Sequence, residues 1–165
     1  MTKSEDLALP RPVGDSQSEM AEIVLPNDSN VLGALLGGRL MHWIDLAAAM
    51  AAHRHSRTYV VTASIDHLDF KVPVHVGDLV ILRSSVNRVF RTSLEVGVQV
   101  ETETLLTGEK LHTCSAYLTF VALDENRKAV EIPPVIPETG EELRRYRQAG
   151  ERREYRLAMR DRLKG

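Results

Sequence analysis

The chain has 165 residues, which predicts a single ordinary domain with little room for a second core. Its 21 Lys and Arg residues and 23 Asp and Glu residues give a net charge of −2, which argues against a nucleic-acid-binding surface. Hydrophobic residues make up 43% and charged residues 27% of the chain, a balance typical of domains with a buried core, so disorder throughout is excluded.

The N-terminal residues contain Pro, Gly, Ser and mixed charges without any periodicity, which predicts a flexible arm over residues 1–18. This stretch lacks the basic and then apolar run of a signal peptide, so we expect a cytoplasmic protein. The apolar segment Met20–Leu25 then predicts a short first strand. Pro26 and the turn-forming sequence PNDSN end that strand.

A glycine-rich loop followed by a long helix is predicted next. The run NVLGALLGG contains three glycines, and good helix formers continue from Gly38 for about four turns. Apolar side chains occupy almost every face of this helix, which is the pattern of a helix surrounded by protein. The apolar stretch Leu40–Ala52 is interrupted by His42 and Asp45 and is too short to span a bilayer, so no membrane segment is predicted.

After the helix, the hydrophobic period changes from that of a helix to that of a strand. Four strands are predicted, near residues 58–70, 78–90, 92–103 and 109–123. In the third of them apolar and polar residues alternate, which indicates a strand with one buried face. The connections are too short for parallel crossovers, so we expect most neighbouring strands to be antiparallel.

Residues 133–165 are predicted to form a linker and a charged C-terminal helix. The segment PPVIPETG has the composition of a linker, and the residues after it include nine basic and five acidic side chains. Such a run is typical of a solvated helix face, and a phosphate-binding role is the alternative.

Together these elements predict an α+β fold in which a curved antiparallel β-sheet wraps one long central helix. A helix that is apolar on all sides needs protein around it, and a strongly curved sheet supplies that cover. This arrangement is the hot-dog fold, and we assign it to residues 19–132.

Asp45 is the strongest catalytic candidate in the predicted helix. It lies about two turns beyond Gly38 on an otherwise apolar helix, where an ionised carboxylate is costly unless it is paired or functional. Gly37 and Gly38 lack a Cβ, so the helix start can bring backbone N–H groups close to a carbonyl oxygen of a ligand. A buried Asp satisfied by nearby backbone or by a partner helix is the alternative.

Other kinds of catalytic chemistry have weaker signals in the sequence. No G-x-S-x-G elbow is present, which argues against a serine hydrolase. The six histidines include no H-x-x-x-H pair, so no metal site is predicted. Cys114 is the single cysteine and cannot close a disulfide within the chain. It lies in an alternating strand, where a small buried apolar residue is expected.

Three separate stretches resemble the cytosolic acyl-CoA hydrolase family of hot-dog thioesterases. They read PNDSNVLGALLGGRLMHWIDLAAAMAA, VTASIDHLDFKVPVHVGD and CSAYLTFVALDENRKAVEIPPVIPETGEELRRY. The resemblance implies that Asp45 activates water, as a general base or as a nucleophile. It also implies that Asn30 is a second catalytic residue, with the two contributed by different hot-dog units. The alternative for Asn30 is a turn residue within PNDSN.

The same resemblance implies that coenzyme A phosphates are held near strand ends. Four residues are therefore coenzyme A-binding candidates: Ser64, Arg88, Arg91 and Ser93. Arginine pairs well with phosphate oxygens, and an exposed strand-end arginine without a ligand is the alternative. Leu36 and Leu46 depart from the family pattern at the site wall, which bears on substrate choice rather than on the reaction.

The resemblance thus implies an acyl-CoA thioesterase that cleaves a fatty acyl thioester to a free acid and coenzyme A. No cofactor is expected, because coenzyme A enters with the substrate and leaves as product. The implied assembly is at least a dimer with its sheets joined edge to edge, and we expect a trimer of such dimers. Neither a nucleic acid nor a membrane is an expected partner.

Two other functions stay open on the sequence. A non-catalytic acyl-CoA-binding sensor could use the same fold, because fold alone does not determine function. A hot-dog hydratase acting on enoyl thioesters usually needs a His near the Asp, and His42 lies three residues before Asp45.

Overall fold

The computed structural model describes residues 8–165 of the chain. Within them lie two long helices, α1 (Gly37–Ser56) and α2 (Gly140–Lys164). The strands are β1 (Arg11–Pro12), β2 (Ser18–Ile23), β3 (Tyr59–Ile65), β4 (Leu79–Phe90), β5 (Ser93–Thr104), β6 (Glu109–Leu123) and β7 (Val135–Ile136).

Five of these strands form one antiparallel sheet in the order β2-β4-β5-β6-β3. The register shifts between Val86 and Arg88 on β4 and between Val100 and Glu101 on β5. Such bulges bend a strand and increase its twist, so the sheet curls towards α1. A long helix against a curled antiparallel sheet confirms the predicted α+β hot-dog fold.

The core lies between one face of α1 and the concave face of the sheet. Four alanines on that helix face are fully buried, Ala47, Ala48, Ala51 and Ala52. Their small side chains let the helix approach the sheet, and the Ser84 hydroxyl of β4 donates a hydrogen bond to the Ala47 carbonyl at 2.6 Å. The larger side chains from the sheet fill the remaining space, and each contributes about 1.5–3 kcal/mol by burial. Fully buried examples are Leu82, Leu94, Leu118 and Phe120.

The four predicted strands after the helix coincide with β3 to β6. The first of them was expected to reach residue 70 but ends at Ile65. Residues 66–78 leave the sheet and run back towards the start of α1, where Leu35 N–H donates to the Val74 carbonyl at 2.7 Å. A period-two pattern does not reveal this departure, because a loop packed on a core can carry apolar residues as a strand does.

The expectation that α1 is surrounded by protein is wrong for the single chain. Met41, Leu46 and Met50 on its outer side are 39%, 45% and 38% exposed. A single sheet covers only one side of the helix, so the apolar pattern on the other side has no partner within the described residues. Neither helix in residues 8–165 has the length and apolarity needed to cross a membrane.

The expected flexible arm is wrong for residues 11–18, while residues 1–7 lie outside the described part of the chain. Strand β1 pairs with β7 in parallel. Val13 is 3% exposed, and the Ser16 hydroxyl is buried between the Val13 carbonyl and the Val86 N–H, at 2.8 and 2.9 Å. Periodicity could not show this, because the arm packs through single residues rather than through one face of a helix or strand.

The C-terminal helix is present but is not solvated on all sides. Its N-cap is Thr139, whose hydroxyl accepts from Glu142 N–H while the Glu142 carboxylate accepts from Thr139 N–H, a capping box. One face of α2 docks on the convex face of the sheet. Ala149 is fully buried there, and the Arg88 guanidinium lies 4.3 Å from the centre of the Tyr146 ring.

His55, in the last turn of α1, is a fully buried titratable residue outside the candidate active site. Its Nε2 lies 2.8 Å from the Pro133 carbonyl oxygen, so this nitrogen carries the proton of the neutral ring. Its Nδ1 has no hydrogen-bond partner among the described residues. Burial lowers the pKa of His55, and the nearby Arg11 lowers it further, against a raising effect of the Pro133 hydrogen bond.

Acid should therefore destabilise the fold through His55. Because its pKa is lower in the folded than in the unfolded chain, the unfolded chain binds more protons as the pH falls below the ordinary value of 6.5. The stabilising contribution is present above that value and is lost as the pH falls towards the folded pKa. Urea unfolding at fixed protein concentration should show this loss, and His55→Gln, which keeps a donor for Pro133, should weaken it. An equal pH dependence in both proteins would contradict the assignment.

Candidate active site

Asp45 lies midway along α1 with its side chain half-buried, and it is held by strand β3. Its Oδ1 accepts a hydrogen bond from the Thr62 hydroxyl at 2.7 Å. Thr62 is on the helix-facing side of β3, opposite Phe120 in the register of β6. Oδ2 has no hydrogen-bond partner within residues 8–165. The carboxylate is thus oriented through one oxygen, and its other oxygen can accept a proton or bind water.

The start of α1 has backbone N–H donors near Gly38. Gly38 precedes Asp45 by seven residues, which is about 10 Å along the helix axis. The Leu36 carbonyl accepts from the Arg39 and Leu40 N–H groups, and the Leu36 side chain provides no cap, so the Gly37 and Gly38 N–H groups have no acceptor within residues 8–165. A Cβ on Gly37 would lie 3.3 Å from the Phe70 ring, whereas a Cβ on Gly38 would meet nothing within 4 Å. Packing within the chain therefore explains a glycine at 37, and the space beside Gly38 is open to a ligand.

A small cavity of about 250 Å³ adjoins this helix start. Its walls combine apolar side chains with polar atoms and come from both sides of the helix start, with Leu35, Gly37 and Leu40 facing residues 70–74. A cleft with apolar side chains beside uncapped backbone N–H groups is suited to a ligand with a carbonyl group and an apolar part.

Asn30 lies in the exposed loop before α1, and its side chain organises that loop. Its Oδ1 accepts from Leu32 N–H at 2.9 Å and from Ala34 N–H at 3.2 Å, while its backbone N–H donates to the Ala34 carbonyl. The turn role is therefore real. It uses only the amide oxygen, so the Nδ2 donors can point to a ligand. No hydrogen bond joins Asn30 to Asp45 within the described chain.

The four coenzyme A-binding candidates do not converge on one point. Ser64 and Arg88 lie in one cross-strand row of the sheet, with Thr119 and Glu95 between them. Three strand spacings separate the two residues, roughly 14 Å. Arg88 is held beneath α2, where its guanidinium donates to the Tyr146 carbonyl at 3.4 Å. Its guanidinium therefore binds α2 rather than a phosphate.

The other two candidates lie at the turn between β4 and β5. Ser93 begins β5, and Arg91 precedes it in the turn with a side chain that is 78% exposed. The Arg91 guanidinium lies 3.7 Å from the Glu131 carboxylate, a loose pairing at the surface. Of the four candidates, Arg91 and Ser93 at this turn are therefore the two that are accessible to a phosphate.

The second cavity, the single cysteine and the potential metal ligands are weaker candidates for a functional site than the region around Asp45. A cavity of about 620 Å³ lies on the convex face of the sheet, away from Asp45, and its arginines are paired with neighbouring carboxylates, as in Arg83 with Glu19. Cys114 is buried in the core, as predicted, and burial raises the pKa of its thiol to about 11. Within residues 8–165 no cluster of His, Cys, Asp or Glu side chains could hold a metal ion.

Comparisons with known proteins identify the family. A model of the thioesterase superfamily matches residues 32–109. The uncharacterised acyl-CoA thioester hydrolase YkhA of Bacillus subtilis is 46% identical over 129 residues, which cover 78% of this chain and 75% of that protein. The chain belongs to this family of acyl-CoA thioester hydrolases. The enzyme also matches acyl-coenzyme A thioesterase 11 of Mus musculus, 40% identical over 149 residues, and spans 25% of that longer protein.

Solved structures of similar chains agree with this assignment. An apo-hexameric acyl-CoA thioesterase is 43% identical to the enzyme, with a TM-score of 0.88 over 92% of this chain and 97% of the other. An acyl-CoA hydrolase from Staphylococcus aureus, solved with butyryl coenzyme A and coenzyme A, is 35% identical, with a TM-score of 0.87 over 93% and 94% of the two chains. The Staphylococcus enzyme has also been solved with an Asp, an Asn or a Thr replaced by alanine.

Thr62 is a candidate site residue that the sequence did not indicate. Its signal is a polar residue two positions after Val60, on the side of β3 that faces the helix. A predicted strand boundary does not identify which helical residue such a side chain meets, so the Thr62–Asp45 contact became visible only in three dimensions.

Replacing Thr62 with valine keeps the shape of the side chain and removes the hydrogen bond to Asp45. We expect kcat for acyl-CoA hydrolysis to fall about tenfold, because the carboxylate loses its fixed orientation. Steady-state kinetics of the purified variant measure this loss. Thr119→Val is the control, because the Thr119 hydroxyl has no partner on the convex face within the described chain. Equal kcat values in the Thr62 variant and the parent enzyme would contradict an orienting role.

Proposed function

We propose that the enzyme hydrolyses fatty acyl-CoA thioesters, with Asp45 acting as the general base. The observation that carries the proposal is the Asp45 carboxylate, oriented by Thr62 on a helix that begins with two glycines. A residue that binds an acyl chain without reacting has no use for an oriented carboxylate, because desolvating a charge beside an apolar ligand is costly.

The spacing of the variants in the Staphylococcus aureus enzyme supports the choice of residues. The Asn and the Asp replaced there are 15 residues apart, and the Asn and the Thr are 32 apart. Asn30, Asp45 and Thr62 have the same spacings in this chain.

The proposed reaction is the hydrolysis of the thioester by one water molecule. Asp45 takes a proton from water as the water oxygen bonds to the thioester carbonyl carbon. N–H groups at a helix start stabilise the oxyanion that forms on the carbonyl oxygen. The carbon–sulfur bond then breaks, the carbonyl re-forms as a carboxylic acid, and the coenzyme A thiolate takes up the proton held by Asp45, which returns Asp45 to its carboxylate form. No metal or redox cofactor has a role in these steps.

The distances within one chain favour a site made by two chains. The helix start and Asp45 are about 10 Å apart along α1, too far for both to act on one carbonyl group. Asn30 lies in the loop that leads into the helix start. We therefore place Asp45 and Thr62 of one subunit against the helix start of its neighbour, where Asn30 of the partner subunit orients the water or the carbonyl.

Exposed apolar residues support such a dimer. Strand β3 is at one edge of the sheet, and Val61 on it is 47% exposed. The outer side of α1 is apolar, and Val31 and Leu32 in the Asn30 loop are 102% and 84% exposed. Pairing two β3 edges would join the sheets and cover these residues. A trimer of such dimers is the proposed assembly, by analogy with the hexameric structural relative.

The turn between β4 and β5 is the better candidate for binding the phosphates of coenzyme A. Arg91 is exposed and only loosely paired, and a phosphate can replace the Glu131 carboxylate as its partner. Ser93 lies beside it as a hydroxyl donor. Ser64 and Arg88 would need a second contact point, because roughly 14 Å separate them across the sheet.

Release of free thiol from acyl-CoA esters tests the proposed function. The purified protein is incubated with esters of several chain lengths, and a thiol reagent follows the coenzyme A released. We expect turnover with saturated esters. A sensor would bind the esters without releasing thiol, and a hydratase would add water to enoyl-CoA without releasing thiol, so either result would overturn the proposal.

A further inference from the structure

Residues 66–78 connect β3 to β4, and residues 70–74 within them form one wall of the cavity at the start of α1. We call residues 66–78 the wall segment. Its Phe70 ring packs on Gly37 at the first residue of the helix. Its far end, the C-terminal one, is bonded to the loop before the helix. Leu35 N–H donates to the Val74 carbonyl at 2.7 Å, and Val76 N–H donates to the Gly33 carbonyl at 3.2 Å.

The near end of the wall segment, which is its first residue Asp66, is held by the C-terminal helix α2. Arg156 of α2 donates through Nη1 to both carboxylate oxygens of Asp66, at 3.0 and 2.8 Å. The side chains of Arg156 and Asp66 are 24% and 17% exposed, so this ion pair is largely shielded from solvent. The Asp66 N–H also donates to the Tyr117 carbonyl of β6 at 2.9 Å. The backbone bond holds Asp66 at the end of the sheet, and Arg156 holds its side chain.

A buried carboxylate on the sheet sets where Arg156 stands. Glu95 of β5 is fully buried and accepts from Arg152 at 2.7 and 3.1 Å and from the Asn87 amide at 3.0 Å. Arg156 lies one turn further along α2, with Nη1 3.7 Å from Glu95. The Arg152 guanidinium also stacks over the Tyr117 ring at 3.6 Å. These contacts hold one short stretch of α2 in one register on the sheet.

Ion pairs are an expensive way to dock a helix, because the desolvation of both charges offsets much of their attraction. Apolar side chains would bind α2 to the sheet equally well, yet Ala149 is the only fully buried apolar residue that it contributes within the described chain. What these charged contacts add is a specified geometry, since turning α2 about its own axis would carry Arg152 and Arg156 away from the fully buried Glu95 carboxylate.

We propose that Arg156 is a positioning residue for the hydrolysis, acting through Asp66 on the wall segment. By fixing the near end of that segment, it holds Phe70 over the helix start where the thioester carbonyl binds. The helix start and the acyl cleft are then kept in one arrangement before the substrate arrives. This inference rests on the proposed function for its kinetic consequence and on the ion pair itself for its structural one.

Two single variants test the proposal from opposite ends of the contact. Arg156→Gln and Asp66→Asn each remove one charge, and each should lower kcat/KM for acyl-CoA about tenfold. The double variant should lose no more than either single variant, because both remove the same contact. Arg156→Lys should recover part of the loss, since an ammonium group can still pair with Asp66. Arg160→Gln, at an exposed position one turn further along α2, is the control and should leave kcat/KM unchanged.

Amide hydrogen exchange followed by mass spectrometry gives a second readout that does not depend on turnover. Both variants should speed exchange in residues 66–76 while leaving β4 and β5 protected. Unchanged exchange in that segment, or unchanged kcat/KM in a folded Asp66→Asn protein, would overturn the proposal. If the parent enzyme releases no thiol at all, the proposed function fails, and the exchange result still decides whether Arg156 holds the wall segment.

Discussion

Replacing Asp45 with alanine is expected to lower acyl-CoA hydrolysis by about 10²–10⁴-fold, the usual effect of losing a general base. The loss should appear in kcat, because the carboxylate acts in the transition state rather than in binding coenzyme A. Asp45→Asn should lose as much. Its amide can still accept the hydrogen bond from Thr62 but cannot take a proton from water, so the two variants together separate proton transfer from simple occupancy of the site.

Thiol release measures this effect, with circular dichroism and thermal unfolding as checks on the fold. The matched control is Glu125→Gln, which removes a carboxylate from the exposed loop after β6 and should keep full activity. Because Asp45 is only half-buried and Thr62 is exposed, removing the carboxylate leaves no buried polar group without a partner. Full activity in a folded Asp45→Ala protein would exclude Asp45 as the base.

Mixing two inactive variants should restore about a quarter of the parent activity. Asn30→Ala and Asp45→Ala proteins are unfolded and refolded together, so that about half of the dimers contain one subunit of each kind. In each mixed dimer one site carries both changes and the other carries neither. This recovery follows only when the two residues of one site come from different subunits.

Native mass spectrometry should show the mixed oligomers, and light scattering should show that the parent enzyme is not a monomer at the assay concentration. Refolding Asp45→Ala with Asp45→Asn is the control, and it should restore nothing because both subunits lack the base. Mixed oligomers without recovered activity would mean that both residues serve one chain or that Asn30 only shapes its loop. An active monomer would remove the shared site altogether.

Periodicity in the sequence determined most of the secondary structure. The helix start near Gly38 and the strands β3 to β6 were predictable because apolar residues repeat with the spacing of a helix or of a half-buried strand. The same local information failed where single residues pack into existing surfaces. Val13 and Ser16 lie in such a place, and so does the wall segment after Ile65, since neither has a repeating face.

Asp45 could be chosen from the sequence because a carboxylate on an apolar helix is conspicuous and costly. Its partner Thr62 could not, since the two are 17 residues apart in the chain and meet only when β3 packs on α1. The ion pairs of α2 span longer separations, 57 residues from Glu95 to Arg152 and 90 from Asp66 to Arg156. A basic run carries no record of which distant carboxylates it will meet.

The sequence alone therefore determined the two long helices, the strands β2 to β6, the fold class and the candidate base, but not β1 or the strand β7 within the predicted linker. The tertiary structure decided what orients that base, which face of α1 remains uncovered, and how α2 is held on the sheet. The physical reason is that local patterns report whether a side chain prefers protein or water. The partner of a side chain depends on distances between segments that are far apart in the chain, and only the folded backbone determines those distances.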